Sequence, residues 1–179
     1  MFTVLNSALP GVFELRPIVH SDRRGRFVKT FQRDFFASHG METEFAEQYH
    51  STSARSVIRG LHFQTPPHDH AKLVTCLDGE VFDVVLDLRR ASPTYGAHAT
   101  FRLNGEDSTQ VYVPRGCAHG FCTLSERATM LYNVTTVYAP SHDSGIRWNM
   151  AGIVWPVNNP IVSERDAALP VLAGFDSSF

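Results

Sequence analysis

Cysteine is scarce in this chain and nothing about its spacing suggests pairing. The 3 cysteines, Cys76, Cys117 and Cys122, form no C-x-x-C pair, which argues against both a disulfide framework and a zinc ribbon and fits a reducing cytoplasm. Charge is sparse as well. Only 19% of the residues are charged, the 16 Lys and Arg are scattered, and the formal net charge is −2. Without a basic face the sequence-independent attraction to phosphate is missing, so nucleic acid is not an expected partner. No stretch approaches the roughly 18 apolar residues of a membrane span, and residues 1–11 carry neither a basic region nor a long apolar run. A soluble, cytoplasmic protein without a membrane partner is expected. Internal repeats, Ser/Gly linkers and charge blocks are also missing, and the longest Pro-containing polar stretch, 65–70, has a loop's length. One domain over 1–179 is predicted, with a less regular tail from about residue 157. A chain of this size buries roughly 70% of its unfolded surface and needs no disulfide or structural metal.

What is present is strand. Short Val-, Phe-, Tyr- and Thr-rich segments bounded by turn residues run over 12–19, 45–51, 57–64, 72–77, 80–88, 99–103, 110–113, 120–124 and 129–138. The Asp78-Gly79 pair reads as a type I′ hairpin. A helix is predicted over 31–39, with Gly40 as its left-handed stop, and a helical turn after Ser163. This is an all-β pattern, for which a sandwich or jelly roll leads. Strand alternation over 130–138 puts Met130, Tyr132, Val134, Thr136 and Tyr138 on one face. Over 81–88 it separates Val81, Asp83, Val85 and Asp87 from Phe82, Val84, Leu86 and Leu88, predicting one face with carboxylates and one apolar face.

Two clusters can carry chemistry. Arg59-Gly-Leu-His62-Phe-Gln64, followed by His68, His70 and Lys72, collects bases, a guanidinium and an amine within fourteen residues. Pro114-Arg-Gly-Cys-Ala-His119-Gly-Phe121 has the Pro and Gly of a tight turn that delivers His119 at a strand start. Pro-x-Gly-x-x-His is half of a cupin metal signature and His68-x-His70 can be the other half. However, Val74 and Thr75 stand where the carboxylate ligand belongs, and Thr123 stands where the second motif ends in Asn. The cupin fold is retained and no metal is expected. The competing chemistry is metal-free: a histidine base, a tyrosine acid and a lysine beside a developing oxyanion suit proton abstraction next to a carbonyl. Asp83 fits either chemistry or the orientation of a neighbour.

Several motifs in order then resemble one family. Arg59-Gly-Leu-His62-Phe-Gln, Lys72-Leu-Val, the run from Gly79 to Arg89, Ser92-Pro-Thr-Tyr-Gly96, Pro114-Arg-Gly-Cys-Ala-His119-Gly-Phe121 and Gly145-Ile-Arg-Trp-Asn149 are similar to the dTDP-4-dehydrorhamnose 3,5-epimerase family over about residues 11–166. The resemblance implies an all-β double-stranded β-helix (jelly-roll, cupin-like) with one or two short helices, a homodimer, and no cofactor. It implies inversion of C3 and/or C5 of a nucleotide-diphosphate-linked 4-keto-6-deoxyhexose, of the dTDP-4-dehydro-6-deoxyglucose to dTDP-4-dehydrorhamnose type, through a C4 enolate. His62 matches the base, Asp166 its carboxylate partner and Tyr132 the proton donor. Lys72 and His119 match residues lining the sugar site, with Lys72 offsetting charge on the enolate. Arg23, Arg24, Arg59, Tyr138, Asp143 and Arg165 fall where substrate contacts are expected.

Two departures bear on the nucleotide. Lys29 stands where the family has an acid, and Glu47-Gln48-Tyr49 replaces Gln-x-Asn, both at positions expected to touch the nucleotide. CDP- or GDP-linked sugars, a 3- or 5-monoepimerase, a sugar-nucleotide 3,4-ketoisomerase and a binding cupin therefore remain alternatives.

Overall fold

A computed structural model of the chain describes residues 2–179. Two antiparallel sheets face one another. The six-stranded sheet runs β1 (Phe2–Asn6), β2 (Phe13–Pro17), β10 (Gln110–Val113), β7 (Lys72–Asp78), β12 (Arg127–Val134) and β5 (Glu47–Ala54). The five-stranded sheet runs β13 (Asp143–Gly145), β6 (Ile58–Gln64), β11 (Cys117–Thr123), β8 (Glu80–Asp87) and β9 (His98–Asn104). A separate hairpin pairs β3 (Val19–Asp22) with β4 (Gly25–Val28), and the helices are α1 (Arg33–Ser38) and α2 (Glu164–Ala168). This is the all-β, cupin-like jelly roll that the sequence implies. Among the described residues no helix is long and apolar enough to cross a membrane.

The central strands of each sheet are buried on both faces. Between the sheets, Val74, Cys76 and Met130 meet Val81, Val85, Leu103 and Phe121. Behind the six-stranded sheet, α1 and its flanks contribute Phe36 and Met41, which pack on Phe2, Leu15, Leu73 and Tyr112. Behind the five-stranded sheet, Ile146, Ile153 and Trp155 cover Ile58, Leu61, Val84 and Leu86. The alternation of β8 stands as expected, with Val81 and Val85 between the sheets and Phe82, Val84, Leu86 and Leu88 on the outer side, and both faces are buried, Asp83 and Asp87 included. Asp87 is tolerated because its oxygens accept from Arg89, Ser92 and Thr94. Burial pushes its pKa up, but those hydrogen bonds outweigh it and hold the group at about 2.

The Asp78-Gly79 turn is a corner, not a hairpin. It joins β7 to β8, which lie in different sheets, while β7 pairs with β10 and β12. Glycine is nonetheless required there, because φ is +75° and a Cβ would lie 2.0 Å from the Arg127 carbonyl oxygen. The predicted segment 12–19 divides into β2 and β3 at Ile18, and β12 ends at Val134, so Thr136 and Tyr138 lie outside the strand alternation. The helix over 31–39 shortens to α1, capped by the Gln32 side chain, with Gly40 in the expected left-handed conformation. The segments β1, β4 and β13 were not legible as strands. Beyond β13 the chain forms only α2 and an isolated bridge from Ile161 to Val57.

Candidate active site

A cavity of about 380 Å³ opens between the sheets. His62 on β6 and His119 on β11 reach it from the five-stranded sheet, while Tyr49 on β5, Lys72 on β7 and Tyr132 on β12 reach it from the six-stranded one. The remaining wall includes Arg59, and Glu47, Tyr138, Asp143 and Arg165 also line it.

The two glycine-containing motifs meet behind His62. In the β6–β11 register His119 opposes His62 and Phe121 opposes Arg59, so β6 carries one extra residue between these pairs. A bulge of this kind bends a strand and re-aims its side chains. It needs both glycines: a Cβ on Gly60 would lie 2.6 Å from Gly120 Cα, and one on Gly120 would lie 2.6 Å from the Arg59 carbonyl oxygen.

His62 Nε2 and Asp166 Oδ1 are 2.6 Å apart, and Asp166 Oδ2 accepts from Gly60 N at 3.1 Å. Asp166 comes from the first turn of α2, where its own N–H donates to the capping Ser163 hydroxyl. Burial pushes the Asp166 pKa up, but the His62 contact, the Gly60 N–H and Arg165 outweigh it and hold the carboxyl below its usual range. An ionised carboxylate can only accept, so Nε2 carries the proton and Nδ1 is the basic nitrogen.

Lys72 is buried, and its Nζ donates to the His62 carbonyl oxygen at 3.1 Å. Burial lowers its pKa to about 8 against the opposing effect of Asp143 and Asp83. His119 Nε2 lies 2.7 Å from Asp83 Oδ2, so Asp83 orients a neighbour. Tyr132 is buried, which is the main reason its pKa is raised, and its hydroxyl lies 3.4 Å from Ser51 Oγ. Tyr49 stacks on Tyr132 with ring centroids 5.0 Å apart and planes at 22°. Arg59 Nε donates to Ser53 Oγ at 2.9 Å. At the cavity's edge Asp143 Oδ2 accepts from Arg165 Nη2 at 2.7 Å and from the Tyr138 hydroxyl at 3.2 Å, and Glu47 Oε2 accepts from Tyr138 N at 3.0 Å.

Ten of the residues singled out in the sequence thus line one cavity, and Asp166 stands directly behind His62. Arg23, Arg24 and Lys29 do not line it. They belong to the β3–β4 hairpin and the residue after it, a sheet that pairs only with itself; Arg24 is engaged by Asp22 at 2.6 Å. Tyr49 lines the cavity and lies against Tyr132. Sequence reasoning passed over Ser51, although it lies two residues from Tyr49 on the same strand face, a period-two signal. It also gave no role in a metal-free site to His70, which lines the cavity and whose pKa burial, Lys72 and Arg115 push down to about 3. The metal-forming pair is not assembled: His68 stacks on His142 at 4.6 Å, His70 Nδ1 lies 3.3 Å from Gln64 Nε2, and His119 is held by Asp83. Among the described residues no group of three or more His, Cys, Asp or Glu is placed to hold a metal ion.

Residues 6–174 match the sequence model of a family described as dTDP-4-dehydrorhamnose 3,5-epimerase. The protein of that name from Salmonella typhimurium is 43% identical over 176 residues, covering 96% of each chain. Among solved structures, dTDP-4-dehydrorhamnose 3,5-epimerase from Bacillus anthracis, with TDP and PPi bound, matches with a TM-score of 0.93 at 35% identity, over 96% of this chain and 100% of that one. dTDP-6-deoxy-D-glucose-3,5-epimerase from Legionella pneumophila, in complex with dTDP-4-keto-L-rhamnose, matches with a TM-score of 0.93 at 34% identity, over 98% of this chain and 95% of that one.

Proposed function

Because the chain belongs to the dTDP-4-dehydrorhamnose 3,5-epimerase family and is an isomerase of the epimerase kind, we propose that it inverts C3 and C5 of a dTDP-linked 4-keto-6-deoxyhexose by metal-free acid–base chemistry. A ketone at C4 acidifies the protons on both neighbouring carbons, so one base, one acid and one cation serve both centres. His62 Nδ1 removes the proton, while Asp166 holds the tautomer and stabilises the imidazolium that forms. Lys72 offsets the negative charge that develops on O4. Tyr132, kept protonated by burial, returns a proton from the other side. The observation that carries this reading is placement: His62 comes from the five-stranded sheet and Tyr132 from the six-stranded sheet, with the cavity between them. Base and acid on facing walls suit attack and return on opposite faces of a planar enolate.

The cations suit a diphosphate. Among the described residues Arg59 makes only the Nε contact to Ser53 described above, which leaves the remaining guanidinium donors for phosphate oxygens. Arg23, Arg24 and Lys29 complement a diphosphate only from a second copy, and we assign the protein to a homodimer in which the β3–β4 hairpin, with Phe27 64% exposed, is covered by its partner. Lys29 then adds charge complementarity to the diphosphate and does not discriminate the base. The thymidine-linked substrate is favoured over the CDP- and GDP-linked ones because the relatives described above are dTDP-sugar epimerases, one with TDP and one with dTDP-4-keto-L-rhamnose bound. Three buried, unpaired thiols fit a reducing compartment, and the cytoplasm is the proposed location.

The test is incubation with dTDP-4-keto-6-deoxyglucose in heavy water, read by NMR and mass spectrometry. Deuterium at C3 and C5 with the 4-keto-rhamnose configuration is expected, unchanged after exhaustive chelation. A product with the carbonyl moved to C3, or no exchange with the dTDP-linked sugar, overturns the proposal.

A further inference from the structure

The partner of Tyr132 on the neighbouring strand is itself a tyrosine, and the proposed reaction gives that pairing a consequence. Tyr49 lies directly opposite Tyr132 in the β5–β12 register, so the two side chains project on the same face. Their rings are stacked at 5.0 Å. Ser51, the next residue on that face of β5, approaches the Tyr132 hydroxyl only loosely, at 3.4 Å. On another side His119 meets the Tyr132 ring edge-on at 6.1 Å and 71°, and His119 is itself fixed by Asp83. Tyr132 thus has one rigid neighbour and one on the edge strand of its sheet, where Tyr49 remains 45% exposed.

We propose that Tyr49 is a positioning residue for Tyr132: its ring fixes the phenol that returns the proton, and so sets how often a deprotonated sugar is inverted instead of being returned with its original configuration. The inference rests on the epimerase reading of this cavity. Proton return demands a donor within roughly 2.6–3.2 Å of the carbon's approach line, and a displacement of about 1 Å there is costly to rate. Proton removal by His62 makes no such demand on Tyr132. Loosening the phenol therefore lowers inversion and spares exchange. The aromatic face does the positioning, since the two rings are in stacked contact while the Ser51 contact to the Tyr132 hydroxyl is long.

The experiment follows two signals in heavy water, deuterium entering sugar of retained configuration and deuterium in inverted product, for wild type, Tyr49→Phe and Tyr49→Leu. Tyr49→Phe is expected to keep the wild-type ratio. Tyr49→Leu is expected to shift the ratio toward retained configuration by about 2- to 12-fold, the range expected from loss of an aromatic pair, with total deuterium uptake falling less than inversion. If the Leu variant does not fold, Tyr49→Asn serves for the same ratio. An unchanged ratio in the Leu or Asn variant overturns the proposal, as does a parallel fall of both signals. A Phe variant as impaired as the Leu variant also overturns it, because the hydroxyl and not the ring would be responsible. Failure of wild type to exchange at all would instead sink the epimerase reading.

Discussion

Two histidine–carboxylate pairs stand side by side in one sheet, and they differ in a way that separates chemistry from scaffolding. His62 and His119 are opposite one another in the β6–β11 register, and each has a ring nitrogen within 2.7 Å of a carboxylate oxygen. In the first pair the imidazole is 28% exposed and Asp166 arrives from a helix 104 residues away in sequence. In the second the imidazole is 4% exposed, the carboxylate is fully buried, and Asp83 comes from the adjacent strand. Asp166 has its second oxygen bonded to Gly60 N, whereas Asp83 Oδ1 has no partner. On the proposed function, the pair whose ring is partly exposed at the cavity is the base, and the pair whose ring is enclosed beside Tyr132 is a brace. Access, more than pairing, divides the roles.

The largest effect that tests this division is on activity. His62→Asn should remove both deuterium uptake and inversion, by roughly 10²- to 10⁴-fold or more. His119→Asn should retain measurable uptake. Equal loss of uptake in the two variants would erase the distinction between base and brace.

The carboxylates should divide the other way, on stability. Asp83→Ala leaves a buried imidazole without its partner and should cost about 3–5 kcal/mol in denaturant unfolding. Asp166→Ala acts beside a partly solvated ring and should cost about 1–3 kcal/mol while lowering kcat. The Asp166 pKa is depressed in the fold, so its contribution to stability is present above the unfolded carboxylate value near 3.9 and disappears as pH falls through the lower folded value. Unfolding measured from neutral pH to pH 2 should show that acid-side loss in wild type and a shallower one in Asp166→Asn. The comparison breaks if Asp166→Ala proves the more destabilising of the two.

The smallest effect is a pH limb. Lys72 is held at about 8 by burial, so it is mostly charged at neutral pH and loses its proton as pH rises past that value. kcat/KM should therefore fall above pH 8, by about tenfold per unit once the group is largely neutral. Lys72→Met should be slow at every pH and lack this limb. A limb that persists in the Met variant belongs to another group.

Much of the site was legible because its signals are local. Pro114 and Gly116 mark the turn before His119, the alternation of β12 places Tyr132 inward, and Ser163 marks the start of the helix that carries Asp166. Gly60 and Gly79 stand where only glycine fits, whichever sheet each turn joins. Other features were not legible because they depend on pairing between distant strands. Asp78-Gly79 has hairpin chemistry, but β10 and β12 occupy both edges of β7, so the chain must turn the corner into the second sheet. Asp83 fits chemistry or the orientation of a neighbour equally well in sequence, until the pairing of β8 with β11 brings His119 to it.

The sequence by itself therefore determined the jelly-roll class, the residue types of the acid–base set and the turns that present them, since turn chemistry and strand alternation are properties of a few adjacent residues. The tertiary structure alone decided that Asp83 meets His119, that Tyr49 stacks on Tyr132, and that Arg23, Arg24 and Lys29 lie off their own chain's cavity. Those outcomes follow from sheet order and burial, which arise when segments up to about a hundred residues apart in the chain exclude water together.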